Sequence, residues 1–262
     1  MTTLSPEVYE RLRNLPTFRA NPEKLLTLTQ EQINSETRGS PLCFIPARKH
    51  SKRLPNKNKL LLAGKPLVQH AIDVAKESGV FGEIVVSSDD EEILEIAYES
   101  KVSPHLRPKR LADDRTQVRH LINFLLGVYP MTDIFCVMIP CNPFRTVGDL
   151  RNAYKLMFDK KANYVMSVVK AHPPPQWACQ IKKGWLQFYG DYANLIQSQR
   201  LEPLYYHNGA FVFARTETFL KEIDKDFHGS KCYPYIMEGG VDINYPEDYI
   251  CAKVLWKVNK EE

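Results

Sequence analysis

Apolar residues fall along the chain in short unbroken runs separated by helical stripes. Leu42 to Ala47, Ile134 to Ile139 and Tyr164 to Val169 have strand length and are apolar enough to be buried on both faces, and Glu83 to Asp89 reads as a buried strand that ends in polar residues. Between the first two runs, Leu67, Ala71, Val74 and Ala75 recur at helical spacing. Pro66 sits where a first-turn proline is tolerated, and Gly79 where such a helix ends. Ile93, Leu94 and Ala97 mark the inner face of a second helix. A third helix runs to about Leu126, with Thr116 or Asp114 placed to cap it, and a fourth spans Val147 to Phe158. This alternation predicts an α/β fold of three layers with a mostly parallel sheet and crossover helices.

The pattern changes at two places. Before Ser40, Pro6 to Leu12 and Glu23 to Ile33 have helix-like spacing and are separated by Pro16 and Pro22, and Asn34 to Pro41 reads as a linker. Residues 1–40 therefore form a helical extension, and 41–262 the main domain. Within that domain, about 172–206 stands apart as an insertion. Trp177 to Ile181 and Trp185 to Tyr189 flank Lys182-Lys183-Gly184 and predict a β-hairpin. The chain returns at His207 to Phe213, and Gly239 to Tyr249 leads into a last helix.

Composition narrows the class. With 262 residues, 44% hydrophobic and 25% charged, the chain fits one large globular domain with an appendage. A net charge of +4 is too mild to imply nucleic acid as a partner. The six cysteines form no Cys-x-x-Cys pair and mostly sit in apolar runs, so they read as packing residues in a reducing compartment. No apolar stretch reaches the roughly 20 residues of a membrane span, and the N-terminus lacks a signal peptide's apolar core. The expectation is a cytoplasmic protein.

The charge that matters is local. Directly after the first strand, Arg48, Lys49, Lys52, Arg53 and Lys57 crowd one loop. A strand that empties into a basic loop is where open α/β sheets hold ligands. These cations repel one another unless anions neutralise them, as the phosphates of a nucleoside triphosphate would. Ser51, Asn56 and Asn58 add hydrogen-bond donors, and Pro55 stiffens the turn. A solvated basic loop or a localisation tract has the same composition. The upstream strand and the Asn56-Lys57-Asn58 finish favour a phosphate site.

The stretch from Ile45 to Asn58 also resembles a signature, Ile-Pro-Ala-Arg-x-x-Ser-Lys-Arg-Leu-Pro-x-Lys-Asn, of the acylneuraminate cytidylyltransferases, the CMP-sialic acid synthetase family. The likeness continues through Arg107 to Thr116, the turn Pro140 to Thr146, the strand from His207 and the Asp242 segment. It implies a Rossmann-like nucleotidyltransferase fold in which the hairpin is a dimerisation arm, and a homodimer. It implies a CTP-using enzyme that activates a sugar or sugar acid and releases pyrophosphate. Carried over residue by residue, Arg48, Ser51, Lys52, Lys57, Asn58, Arg107, Thr116 and Gln117 are nucleotide-binding, with Arg48, Lys52 and Lys57 catalytic. Asn142, Arg145, Tyr206 and Asn208 are acceptor-binding. The family's Mg²⁺ ligands, two aspartates one residue apart on the final strand, fall on Asp242 and Asn244. Asp89, ending a strand, is a second acidic candidate or a helix cap.

Departures from the family pattern cluster on the acceptor side. Its Gln and two Arg fall on Ile139, Ser198 and Tyr206, and Gln117 and Arg119 replace small residues near the base. This argues against ordinary sialic acid as the acceptor. Another nucleotide, a phosphorylated acceptor, or a degenerate nucleotide-binding or structural partner without turnover remain the alternatives. Arg145-Thr146 also reads as a plain turn and helix start, and the hairpin as one packed on its own domain.

Overall fold

Strand β1 (Leu42–Pro46) is buried through Ile45 because it lies in the interior of a seven-stranded sheet and receives apolar cover on both faces. The structure, a computed structural model, describes residues 39–129, 132–192 and 195–261. The helices expected before Ser40 lie outside the described residues. In chain order, β1 is followed by a small hairpin, β2 (Leu61–Leu62) and β3 (Lys65–Pro66), then α1 (Leu67–Ser78), β4 (Glu83–Ser88), α2 (Glu91–Glu99) and β5 (Ser103–Leu106). Next come α3 (Val118–Val128), β6 (Ile134–Val137), α4 (Val147–Asp159) and β7 (Tyr164–Lys170). The hairpin β8 (Cys179–Lys182) and β9 (Trp185–Phe188) precedes β10 (Tyr205–Arg215), α5 (Thr216–Lys221), β11 (Cys232–Ile236) and α6 (Pro246–Glu261).

The sheet order is β11-β7-β10-β6-β1-β4-β5, and β10 alone runs antiparallel to its neighbours. Alternation along each strand splits the core in two. Cys43, Ile45, Val86, Cys136 and Met138 pack under α1, α2 and α4. Phe44, Val85, Phe135 and Val137 pack under α3 and α5. Side chains of this size contribute roughly 1.5–3 kcal/mol each when fully buried. Helices on both faces make the expected three layers, and no helix among the described residues is long and apolar enough to cross a membrane.

Helix ends follow local chemistry. Gly79 ends α1 in the left-handed conformation at φ 65°. Asp90, rather than Asp89, caps α2 by accepting the Glu92 N–H at 3.1 Å. Thr146 and Asp149 form a reciprocal capping box on α4. The expected cap on α3 is not made: Gln117 holds the N-cap position without a side-chain bond. Thr116 is instead turned back to Asp113, which accepts its N–H and its hydroxyl at 2.6 Å.

The sheet also contains β5 and β11, which the pattern of apolar runs does not predict. Each carries a proline, Pro104 or Pro234, and they are the two edges of the sheet, where a missing donor is tolerated. Asp242 and Asn244 do not lie on a final strand. They sit in an irregular segment after β11, held by the Ile243 N–H donating to the Cys141 carbonyl at 2.8 Å.

Candidate active site

The order of the strands makes a crevice at the end of β1. From β1 the chain moves to β4 and β5 on one side and then crosses to β6 on the other, so the loops after β1 and β6 diverge there. The basic loop, residues 47–60, fills the mouth of this crevice. Backbone ties fix it: the Lys49 N–H donates to Asp89 Oδ1 at 2.7 Å, and Asn58 Nδ2 donates to the Arg48 carbonyl at 2.9 Å. Leu54 anchors the middle in a small apolar cluster with Leu62, Cys141 and Ile243. Asp89 is thus a loop anchor, and Asn58 braces the loop from beneath.

The loop's cations divide into two groups. Arg48 Nη1 and Lys52 Nζ converge on Asp114, at 2.8 and 2.7 Å. The Lys52 hydrogen bond holds the Asp114 carboxyl below its usual range. These groups are solvent-exposed or nearly so, so the pairs are weak and exchangeable. Arg107, at the end of β5, is buried and donates to the Ser87 carbonyl at 2.7 Å. Burial pulls its guanidinium down to about 10, with neighbouring Arg48 adding to the effect.

The second group faces the other wall. Lys57 Nζ and Arg53 Nη2 both donate to Asn244 Oδ1, at 3.1 and 3.0 Å. Asn244 Nδ2 donates to Asp242 Oδ2 at 2.6 Å, and the Cys141 thiol to Asp242 Oδ1 at 3.1 Å. Burial and then the adjacent carboxylate push that thiol up to about 12, so it stays protonated. The chain Lys57–Asn244–Asp242–Cys141 therefore joins the loop after β1 to the turn after β6.

On the far side of the crevice, Arg145 is buried and bonds the carbonyls of Ile139 and Asn142. Burial lowers it to about 10. Its guanidinium braces the turn, yet Nη1 has no hydrogen-bond partner among the described residues, and neither has Asn142 Oδ1. Asn208 is likewise buried, accepting from Ser167 Oγ at 2.7 Å while its carbonyl accepts from Asn142 Nδ2 at 3.0 Å. Tyr206 stands exposed on β10, and Gln117 is exposed before α3. Ser51 is half-buried at the bend of the basic loop.

The sequence-predicted positions thus meet in part. Arg48, Lys52, Lys57, Asn58, Asp242 and Asn244 line one crevice, and Asn142, Arg145 and Asn208 form a buried frame beside it. Arg53 was expected only as one of the loop's cations, and the roles of Asp114 and Cys141 were not predicted. Arg53 and Cys141 meet their partners 191 and 101 residues away in sequence, and Asp114 meets Arg48 and Lys52 from a separate loop, so no local pattern exposes these contacts.

The donor chemistry can be tested against Mg²⁺. Asp242 offers a hard carboxylate, whereas the Asn244 amide turns its N–H to Asp242 and its oxygen to two cations. Among the described residues, no group of three or more His, Cys, Asp or Glu is arranged to hold a metal. Mg²⁺ takes few protein carboxylates together with water and phosphate oxygens. The site therefore fits Mg²⁺ through Asp242 once a triphosphate supplies further oxygens. Asn244 joins only if its amide turns over as phosphate draws Lys57 and Arg53 away.

A family model described as Cytidylyltransferase matches residues 42–176. The pseudaminic acid cytidylyltransferase of Campylobacter jejuni is 34% identical over 84% of this chain and 97% of its own length. The CMP-N,N'-diacetyllegionaminic acid synthase of Legionella pneumophila is 31% identical over 84% and 97%. An N-acylneuraminate cytidylyltransferase of Streptococcus agalactiae is 34% identical over 80% of this chain, which spans about half (52%) of that relative. A solved CMP:2-keto-3-deoxy-manno-octonic acid synthetase in complex with CTP overlays with a TM-score of 0.63 at 14% identity, covering 84% of this chain and all of its own, a likeness of fold. The chain belongs to the cytidylyltransferase family of nucleotidyltransferases.

Proposed function

We propose that this enzyme transfers CMP from CTP to a sugar acid other than ordinary sialic acid. The observation that carries this reading is the pair of exchangeable cation groups at the end of β1, one held by Asp114 and one by Asn244. Phosphate oxygens replace Asp114 on Arg48 and Lys52, and Lys57 leaves Asn244 for the α-phosphate, where charge develops. An acceptor hydroxyl oxygen attacks the α-phosphorus, the bond to the β-phosphate oxygen breaks, pyrophosphate leaves, and the hydroxyl proton passes to water. Bound at Asp242, Mg²⁺ supplies further neutralisation of phosphate charge. Ser51, Asn58, Arg107, Thr116 and Gln117 border the nucleotide, with Arg107 set rigidly by Ser87. Asn142, Arg145, Tyr206 and Asn208 border the acceptor, Asn142 and Arg145 through the buried atoms left without partners.

The active species is proposed as a homodimer. Ile181, Trp185, Leu186 and Tyr189 on the hairpin are 72–76% exposed, a concentration of large apolar side chains suited to a second subunit. The compartment is proposed as the cytoplasm, in keeping with the free thiols of Cys43, Cys136 and Cys141. A second reading, nucleotide binding without turnover, is motivated by Asn244, which stands where the family pattern has a carboxylate, and by the departures on the acceptor side.

The acceptor is settled by steady-state kinetics with CTP and a panel of acids. The panel holds N-acetylneuraminic, pseudaminic, N,N'-diacetyllegionaminic and 2-keto-3-deoxy-manno-octonic acids. A bidentate Arg would hold the acceptor carboxylate well, and the matching positions here are Ser198 and Tyr206, which cannot balance its charge. N-acetylneuraminic acid is expected to be a poor substrate, at least about tenfold below the best acid. Its turnover with kcat/KM above about 10⁴ M⁻¹s⁻¹ would show the departures to be compensated. Turnover of none would leave the binding-only reading.

A further inference from the structure

His105, on the edge strand β5, is a buried histidine that the crevice chemistry does not use. Strand pairing sets it directly beside Ser87 of β4, which is fully buried. Phe124 and Tyr129 wall its ring, with centroids 5.9 and 6.2 Å away, so packing fixes the ring plane. Its Nδ1 lies 3.1 Å from Ser87 Oγ. Two residues further along, Arg107 rests two of its three guanidinium nitrogens on the same serine. Nη2 donates to the Ser87 carbonyl at 2.7 Å and Nε to Ser87 Oγ at 3.3 Å.

Counting protons gives this chain one direction. A guanidinium only donates, so Ser87 Oγ accepts from Arg107 Nε. The single hydroxyl proton of Ser87 is then left for His105 Nδ1, which is the unprotonated ring nitrogen. Were Nδ1 protonated, Ser87 Oγ would receive two donors and its own proton would lack an acceptor among the described residues. Burial favours the neutral ring that this arrangement needs. It pulls His105 down to about 4, with the nearby Arg107 charge adding to the effect. The relay therefore runs from Arg107 Nε–H to Ser87 Oγ–H to His105 Nδ1, with all three residues buried.

We propose that His105 is a positioning residue for the nucleotide: through Ser87 it fixes the rotation of the Arg107 guanidinium and so aims the remaining nitrogen, Nη1, at an acceptor atom of the nucleotide. Both groups that hold the guanidinium are neutral, so neither competes with a nucleotide oxygen for its charge. A buried donor held this way is set before the ligand arrives, and its effect falls on binding. The inference rests on the placement of Arg107 at the nucleotide in the reading above, and adds the residues that aim it.

The test combines CTP affinity by isothermal titration with steady-state kcat and KM on the best acid of the panel. It compares wild type, His105→Phe, His105→Asn, Ser87→Ala, the double variant of Ser87→Ala with His105→Phe, and Arg107→Ala. His105→Phe keeps a ring and removes the acceptor. It is expected to weaken CTP binding about three- to tenfold, the range of one hydrogen bond, with the loss in KM and kcat within about twofold of wild type. His105→Asn, which can set an amide oxygen near the Nδ1 position, should recover most of the affinity. Ser87→Ala should lose at least as much as His105→Phe, and the double variant no more than Ser87→Ala alone, because both changes break one chain. Nitrogen NMR of the wild type should give His105 Nδ1 the shift of an unprotonated ring nitrogen. Additive losses, an Asn variant no better than Phe, a loss confined to kcat, or a protonated Nδ1 would overturn the proposal. Wild-type affinity in His105→Phe, where Arg107→Ala does lose CTP, would overturn the relay alone. Wild-type affinity in Arg107→Ala would instead defeat the nucleotide role of Arg107, and the relay with it.

Discussion

Lys57→Ala is expected to lower turnover by more than tenfold, toward the roughly 10²-fold lost with one preorganised donor. The fold should persist, because Lys57 makes its bond to Asn244 at the crevice rather than within the core. The loss should fall on kcat and leave CTP affinity nearly intact, since the proposed role is exercised as charge develops at the α-phosphate. Lys52→Ala provides the contrast. Lys52 is 79% exposed and pairs with Asp114, so its proposed role is to gather the triphosphate, and its loss should weaken CTP binding as well as turnover. Pre-steady-state kinetics with titrated CTP separates the two. Wild-type affinity and turnover in both variants would remove the triphosphate from this loop.

Asp242→Ala should abolish Mg²⁺-dependent activity, the other large effect. Asp242 is the hard carboxylate beside Lys57, and its removal also releases the Asn244 amide and the Cys141 thiol. Asn244→Asp should act in the opposite direction and lower the Mg²⁺ concentration needed for half-maximal rate, by restoring a second carboxylate. Titrating Mg²⁺ against turnover for the three proteins reads this directly. Activity that survives a chelator and ignores Asp242 would place catalysis elsewhere.

The interior of the sheet was legible in the sequence because its strands are buried on both faces. Leu42 to Pro46 and the Ile84 to Val86 centre of β4 therefore read as apolar runs. The edges were not, since β5 and β11 carry prolines, β5 is only four residues long, and β11 alternates with exposed residues. On the site side, the cation-rich loop announces itself by charge density. Its counter-groups do not, because Asp114 and Asn244 reach it only through the tertiary fold. The spacing of Asp242 and Asn244 was a sound guide to their meeting, though not through a strand. Ile243, fully buried between them, pins the segment and turns both flanking side chains toward each other.

The central claim is transfer of a cytidylyl group, and it is tested most directly by pyrophosphate release from each of CTP, UTP, ATP and GTP with the acid panel, with the product mass determined. The account predicts release with CTP and at least one acid, at a rate at least tenfold above the other nucleotides, and a product heavier than the acid by one cytidylyl group. Equal release from all four nucleotides, or release without a cytidylylated acid, would contradict it.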